Sequence, residues 1–196
     1  MQTPQLNMLP DHLGGHMNKT HVDMGALSYL KNTFDVKSML DVGCGPGGMV
    51  YAAKSLGIYA IGIDGDYTLP QFNNTNDLES LLFILHDYTK GTTKTLNSVV
   101  CDLVWSVEFL EHIEERFLNN VMPTFQLGKV VVVTAAPPGW AGHHHVNCQD
   151  QEYWIEKFKD YGLAYSRGTT AAVCDMSTMV KPFLKQNGMV FFNERI

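Results

Sequence analysis

The sequence has little charge, few basic residues and no long apolar run. Charged residues make up 17% of its 196 residues, whereas an average soluble protein has about a quarter. The 14 Lys and Arg residues stand against 20 Asp and Glu, a net charge of −6. This balance argues against extended contact with nucleic acid, which needs basic groups to neutralise phosphates. The longest apolar run, 130–136, is too short to span a bilayer, so no membrane segment is expected.

Cysteine is also scarce and shows no pattern. The four cysteines, at 44, 101, 148 and 174, form no C-x-x-C pair and have no zinc-like spacing. We therefore expect reduced thiols and a cytoplasmic protein. The first basic residue is Lys19, so no secretory signal is expected before it. The length predicts one domain over 1–196, with a lead-in and helix over 1–36 and a core over 38–193.

From residue 38 onward, short apolar runs alternate with longer amphipathic stretches. We predict strands over 39–42, 58–63, 81–85, 101–105, 129–134 and 189–192, and helices over 23–34, 49–56, 109–127 and 149–161. Apolar strands separated by helices are typical of a parallel sheet that is covered on both faces. The stretch 66–79 fits this pattern poorly, because it is polar, contains Pro70 and shows no helical face.

A glycine-rich loop, 43–48, lies between the first predicted strand and the next helix. Such a loop turns tightly, lets a ligand approach the backbone and points a helix N-terminus at that ligand. Asp64, which ends the second strand, lies where a carboxylate binds the ribose of a dinucleotide or of an adenosyl cofactor. Asp41 would repel a pyrophosphate but suits an amino group, and the chain is short for a dehydrogenase with a separate substrate domain. These two points favour the adenosyl cofactor.

Several motifs, in order, resemble a known family. The D-x-G-x-G-x-G loop at 41–47, the Ile-Gly-Ile-Asp run at 61–64 and the acidic segment at 102–112 are similar to those of class I S-adenosylmethionine-dependent methyltransferases. The resemblance extends over about 38–161. It implies an α/β, Rossmann-like, doubly wound and mostly parallel seven-stranded sheet with helices on both faces. The implied strand order is 3-2-1-4-5-7-6, with strand 7 antiparallel.

The resemblance also implies which residues bind S-adenosylmethionine. It places the methionine part on the loop after the first strand and the ribose at the end of the second strand. The adenine then lies beside the residues that follow the third strand, and the sulfonium beside those that follow the fourth. In that order the residues are Asp41, Gly43, Cys44, Gly45, Pro46 and Gly47, then Asp64 and Gly65, then Asp87 and Tyr88, then Ser106 and Val107.

Carboxylates and imidazoles gather after the fourth and fifth predicted strands. Glu108, Glu111 and His112 share one face if a helical turn begins at once, and three histidines follow at 143–145. Together they could coordinate a divalent metal or transfer a proton. An E-x-x-E-H segment with a later His resembles the metal site of small-RNA 3′-end 2′-O-methyltransferases, but such segments also occur in family members without a metal. We predict no metal, and proton transfer or substrate positioning by His112, Glu108, His143 and His145.

The activity implied by the resemblance is methyl transfer to an oxygen or nitrogen nucleophile. Only 1–36 and 135–148 are left to shape an acceptor pocket, which favours a small molecule or a short exposed part of something larger. Three alternatives stay open: a metal-assisted RNA 3′-end methyltransferase, disfavoured by the acidic charge, a non-catalytic cofactor-binding module, and a short NAD(P)-binding protein. His12, His16 and His21 have no motif around them, and we assign them no role.

Overall fold

The computed structural model describes residues 9–73, 82–96 and 99–196. Three sequence predictions fall partly outside these described residues: the start of the lead-in, the later part of the 66–79 stretch, and the start of the third strand at Leu81. The strands are β1 Ser38–Val42, β2 Tyr59–Asp64, β3 Phe83–Leu85, β4 Cys101–Ser106, β5 Gly128–Val133, β6 Leu163–Tyr165 and β7 Met189–Asn193. The helices are α1 Met24–Phe34, α2 Gly48–Ser55, α3 Pro70–Asn73, α4 Leu118–Phe125, α5 Gln151–Asp160, α6 Arg167–Met176 and α7 Phe183–Asn187.

The strands form one sheet in the order β3-β2-β1-β4-β5-β7-β6. The five strands from β3 to β5 pair in parallel, whereas β7 pairs antiparallel with both β5 and β6. In this register Leu40 lies opposite Ile61 on one side and Val104 on the other. The predicted strand order and the antiparallel β7 are therefore confirmed.

Alternate residues of the central strands pack into two hydrophobic cores, one on each face of the sheet. Met39, Leu103 and Val132 join the core that α1, α2, α6 and α7 cover. Leu40 and Val104 join the core that α4 and α5 cover. Burial on both faces explains why these strands are nearly continuous apolar runs rather than alternating ones.

The predicted helix over 109–127 is wrong in its first half. Two 3-10 turns, Leu110–His112 and Glu115–Phe117, precede α4 instead. The carbonyl of Glu111 accepts hydrogen bonds from the backbone N–H groups of Val146 and Asn147, each at 3.0 Å, and the carbonyl of Ile113 accepts one from the Asn147 side chain at 3.0 Å. Because these carbonyls bind a distant loop, they do not take the i+4 partners of an α-helix. These two turns, together called the turn after β4, therefore replace the first half of the predicted helix, and α4 follows them.

Beyond this turn, β6, α6 and α7 lie where no element was predicted. A buried carboxylate holds the loop between α6 and α7 against the start of the first helix. Asp23 caps α1 by accepting from the Ala26 N–H at 3.0 Å, and it also accepts from the Thr178 N–H at 2.9 Å and from the Ser177 hydroxyl. No helix among the described residues is long and apolar enough to cross a membrane.

Candidate active site

A cavity of about 430 Å³ opens at the carboxyl ends of the parallel strands. Its walls come from the loops after β1, β2, β3 and β4, from the histidine run 143–145, and from an N-terminal segment that crosses above them. Open α/β sheets bind ligands at this edge, where the strand order reverses between β1 and β4. The volume lies within the usual range for small-molecule sites.

The glycine loop forms the floor of the cavity. Gly43 and Gly45 have φ angles of +76° and +49°, which favour glycine over residues with a side chain. The backbone N–H groups of Gly43 and Cys44 both donate to the carbonyl of Ile63, at 2.9 and 3.0 Å, which ties the loop to the end of β2. A Cβ atom on Gly45 would lie 3.0 Å from the Cβ of His16 in the N-terminal segment. The absence of a side chain at Gly45 therefore leaves room for that segment and for a ligand.

Two carboxylates flank this loop. Asp64 accepts a hydrogen bond from the Gly45 N–H at 2.8 Å and another from the Asp66 N–H at 2.9 Å. Asp41 is almost fully buried, and its Oδ2 has no hydrogen-bond partner among the described residues. Burial, together with the nearby charge of Asp64, raises the pKa of Asp41 to about 8. A buried carboxyl group without a partner fits best beside a cation or a donor that the ligand brings.

The wall after β3 offers a polar and an aromatic group. One oxygen of Asp87 accepts from the N–H and the hydroxyl of Thr89, at 2.9 and 2.7 Å, and the other lies 3.2 Å from the Nε2 atom of His12. The Tyr88 hydroxyl donates to Thr124 at 3.0 Å, which fixes the ring in the wall.

Most of the residues predicted to bind the cofactor meet at this cavity, but three do not line it. The nine lining residues are Asp41, Gly43, Cys44, Gly45, Asp64, Gly65, Asp87, Tyr88 and Val107. Pro46 and Gly47 lie outside the lining, and the hydroxyl of buried Ser106 donates to the Val42 carbonyl at 2.8 Å. Ser106 therefore joins β4 to β1 in this structure rather than facing a ligand.

The N-terminal strap, residues 9–22, covers the cavity; the lead-in was expected to help shape the acceptor pocket, but its histidines were assigned no role. His16 Nε2 lies 3.1 Å from Asp66 Oδ2, and the Thr20 hydroxyl accepts from the N–H of Gly48 at the start of α2, also at 3.1 Å. With the contact between His12 and Asp87, these interactions reach the loops after β1, β2 and β3. The strap has no regular secondary structure, so periodicity could not reveal it.

All eight histidines of the chain line this single cavity. They come from the strap, from the residue after β3, from the turn after β4 and from the loop after β5: His12, His16, His21, His86, His112, His143, His144 and His145. The only signal that the sequence offered for the strap was its three histidines within residues 12–21, and the structure shows that they join the other five.

The turn after β4 forms another side of the cavity. Glu108 has a φ angle of +57°, a conformation that costs a non-glycine residue energy and that often marks a functional position. Its N–H donates to the Thr134 hydroxyl at 2.8 Å, and its carboxylate accepts from the same hydroxyl at 3.1 Å. Burial raises the pKa of Glu108 to about 7.

Glu111 and His112 continue this turn, and His145 faces them from the loop after β5. Fully buried Glu111 accepts from the Ala136 N–H at 3.2 Å through Oε1, while its Oε2 has no partner among the described residues. Burial, and then the charge of Glu108, raises its pKa to about 8. Burial, followed by the charge of His145, lowers the pKa of His112 to about 4.

The two imidazoles are oriented in the same way. The Nδ1 atoms of His112 and His145 lie 2.8 and 3.0 Å from the carbonyl oxygens of His143 and Trp140. Because a carbonyl only accepts, each Nδ1 carries the proton and each Nε2 keeps a free lone pair. One ligand atom from each of Glu111, His112 and His145 lies within 4.8 Å of the other two. His143, whose Nε2 lies 3.2 Å from the Leu13 carbonyl, joins this side of the cavity to the strap.

Comparison with known proteins agrees with this architecture. Residues 40–124, which include the glycine loop, Asp64, Asp87 and the turn after β4, match the family described as a methyltransferase domain. This region is a methyltransferase domain, and the strand order of the sheet is the one that the resemblance to class I S-adenosylmethionine-dependent methyltransferases implied. No curated protein sequence matches it.

Several solved structures share the methyltransferase fold at low identity. The methyltransferase domain of a bacterial Hen1 protein is 14% identical, with 86% of this chain and 96% of that chain covered and a TM-score of 0.55. A TehB-like methyltransferase from Corynebacterium glutamicum is 15% identical, with 87% and 88% covered and a TM-score of 0.56. The magnesium protoporphyrin IX methyltransferase of Synechocystis, solved with bound S-adenosylmethionine, is 16% identical, with 84% and 74% covered and a TM-score of 0.54.

The residues of this methyltransferase fit its cofactor. The cavity offers a glycine-rich floor, the carboxyl group of Asp64 at the end of β2 and a buried, unpartnered oxygen of Asp41 next to the loop. That oxygen needs the kind of partner that the ammonium group of the cofactor provides.

The buried carboxyl of Asp41 predicts a stability that depends on pH. Because its pKa is raised in the folded state, the folded protein holds a proton that the unfolded chain releases near pH 4. The contribution of this bound proton to the free energy of unfolding is complete below about pH 4 and is lost as the pH rises through 8. We expect Asp41→Asn to raise the free energy of unfolding at pH 8 by about 1–3 kcal/mol, with no difference near pH 4.

Urea denaturation of the ligand-free protein at both pH values measures this effect. Asp160→Asn, at the exposed end of α5, removes the same charge without the burial and serves as the control. An Asp41→Asn variant that is less stable than wild type at pH 8 would contradict the assignment.

Proposed function

We propose that this methyltransferase transfers a methyl group to an oxygen or nitrogen atom of a small-molecule acceptor, or of a short exposed part of a larger one. The observation that carries the proposal is the division of one cavity into two sides. The glycine loop, Asp64 and Asp87 border one side, and the cluster of Glu108, His112 and His145 borders the other. An acceptor bound beside the cluster would lie next to the cofactor without any further domain.

In this proposal the chain binds, orients and shields the two reactants. S-adenosylmethionine, when bound, supplies a methyl group already activated by the positive sulfur. Asp41 faces its amino group and Asp64 binds its ribose, while the strap keeps water out of the cavity. Alignment in a closed site supplies most of what such a transfer needs from a protein.

The acceptor side provides groups that can take a proton from a hydroxyl or an ammonium. The free Nε2 lone pairs of His112 and His145 and the carboxylate of Glu108 all border the cavity. A base within hydrogen-bond reach of the acceptor assists the transfer when the nucleophile carries a proton. His143 orients His112 through its carbonyl, so its role in this scheme is to position the base.

The binding of S-adenosylhomocysteine, measured by titration calorimetry, tests the cofactor site. We expect Gly45→Ala to weaken this binding by about tenfold or more, since the added Cβ enters the floor of the cavity and strains a left-handed backbone. Gly168→Ala, at a helical position where a Cβ meets no atom within 4 Å, should bind like wild type. Asp64→Asn should also weaken binding, and it does so without backbone strain. Wild-type affinity in both Gly45→Ala and Asp64→Asn would refute the proposed site.

A transfer assay with methyl-labelled S-adenosylmethionine tests the acceptor class. After incubation with cell extract, we expect label in the small-molecule fraction that passes an ultrafiltration membrane, because the acceptor side of the cavity is enclosed by the strap and the loop after β5. His112→Gln and Glu108→Gln should lose most of this transfer while still binding S-adenosylhomocysteine. Label confined to retained macromolecules would refute the small-molecule acceptor.

A second candidate function uses a divalent metal, as in an RNA 3′-end 2′-O-methyltransferase. One observation favours it: Glu111, His112 and His145 offer ligand atoms within 4.8 Å of one another, and carbonyl groups fix both imidazoles with Nε2 free. Metal-bound histidines are usually oriented in this way through their other nitrogen. The net charge of −6 counts against an RNA acceptor.

Calorimetric titration with Mn²⁺ or Mg²⁺ separates this candidate from the first. If the metal is used, wild type should bind one ion and Glu111→Gln should bind at least about tenfold more weakly. Glu156→Gln, an exposed change on α5, is the matched control. If wild type binds no ion and a chelator does not affect methyl transfer, the metal-assisted candidate is refuted and the metal-free mechanism is retained.

A further inference from the structure

Two lysines lie at the methionine end of the cavity, and neither was assigned a role by the motifs. Lys19 belongs to the strap, directly before Thr20, whose hydroxyl accepts from the N–H of Gly48 at the start of α2. Lys181 comes from the loop before α7, where the ring of Phe183 packs edge-on against His21 with centroids 4.9 Å apart. Two distant parts of the chain thus bring a lysine each to the same end of the cavity.

These lysines supply positive charge that the protein itself does not neutralise. They are the Lys or Arg residues among those that line the cavity, and neither takes part in the ion pairs of the described residues. After burial, their two charges are the causes that lower the pKa of His21, so both act on one small region. In a protein with a net charge of −6, this region stands out as a place for an anion.

The cavity also contains a buried acidic group at the end of β1, directly before the glycine loop. Asp41 is nearly completely buried, it lines the cavity, and its Oδ2 atom has no partner among the described residues. The cavity lining therefore includes an unpartnered carboxyl oxygen and two lysines outside the ion pairs of the described residues. This pattern is complementary to a free amino acid group, which carries one ammonium and one carboxylate.

We propose that Lys19 and Lys181 bind the carboxylate of the amino-acid end of S-adenosylmethionine, while Asp41 faces its ammonium. The inference rests on the proposed position of the cofactor on the glycine loop. It assigns the anion to the cofactor rather than to the acceptor, because the lysines lie beside the start of α2 and the acceptor cluster follows β4 and β5. It also gives the strap a direct contact with the cofactor, through Lys19.

A pair of ligands that differ only at this end tests the proposal. S-adenosylhomocysteine carries the amino-acid group, whereas 5′-methylthioadenosine has the same nucleoside and a sulfur atom but no amino-acid group. Calorimetry with the full chain would compare both ligands on wild type, Lys19→Gln, Lys181→Gln and the double variant. Lys185→Gln, which removes the same charge from the exposed face of α7, is the matched control.

We expect the double variant to bind S-adenosylhomocysteine about tenfold more weakly, the size of one charge-assisted hydrogen bond. Its affinity for 5′-methylthioadenosine should stay within twofold of wild type, and Lys185→Gln should change neither. An unchanged affinity for S-adenosylhomocysteine in the double variant, or an equal loss for both ligands, would overturn the proposal. A wild type that binds neither ligand would instead refute the cofactor site itself.

Discussion

The parallel pairing of β1 with β2 on one side and β4 on the other is the constraint on which the site depends. The chain leaves the sheet at the ends of these three strands toward the same edge, and the loops that follow must diverge because the order reverses there. This divergence opens the cavity. It also places Asp41 and Asp64 side by side, since Asp41 pairs with Gly62 in the neighbouring strand, two residues before Asp64.

The same arrangement leaves polar groups buried that the fold alone does not satisfy. Asp41, which lines the cavity, and Glu111, in the turn after β4, each hold a buried oxygen without a partner among the described residues. In both, burial raises the pKa, so the folded protein favours a proton where it would otherwise carry a charge. Such groups reduce stability unless a ligand satisfies them. At Asp41, which lines the cavity, part of the binding free energy of a ligand is expected to come from removing this cost.

The sequence predicted the sheet well, because its strands are short, apolar and separated by clear turns. It failed where distant parts of the chain decide local structure. The turn after β4 looks helical by periodicity, yet Val146 and Asn147 take the carbonyl of Glu111 and prevent the helix. The strap has no periodicity, and its contacts join His12 to Asp87 and His16 to Asp66 across 75 and 50 residues. The motifs identified the residues on the sheet edge, whereas contacts between residues far apart in the sequence determine what covers them.

The strap links the two sides of the cavity through one short segment. It contacts Asp87 after β3 through His12, Asp66 after β2 through His16, the start of α2 through Thr20, and the loop after β5 through the Leu13 carbonyl and His143. A ligand that adds or removes one of these contacts changes the free energy of closing the whole segment, and by linkage it changes the affinity at the other contacts. A segment without regular structure suits this purpose, because few backbone hydrogen bonds must break when it moves. Cofactor and acceptor sites that share such a cover are therefore expected to influence each other even where no residue touches both ligands.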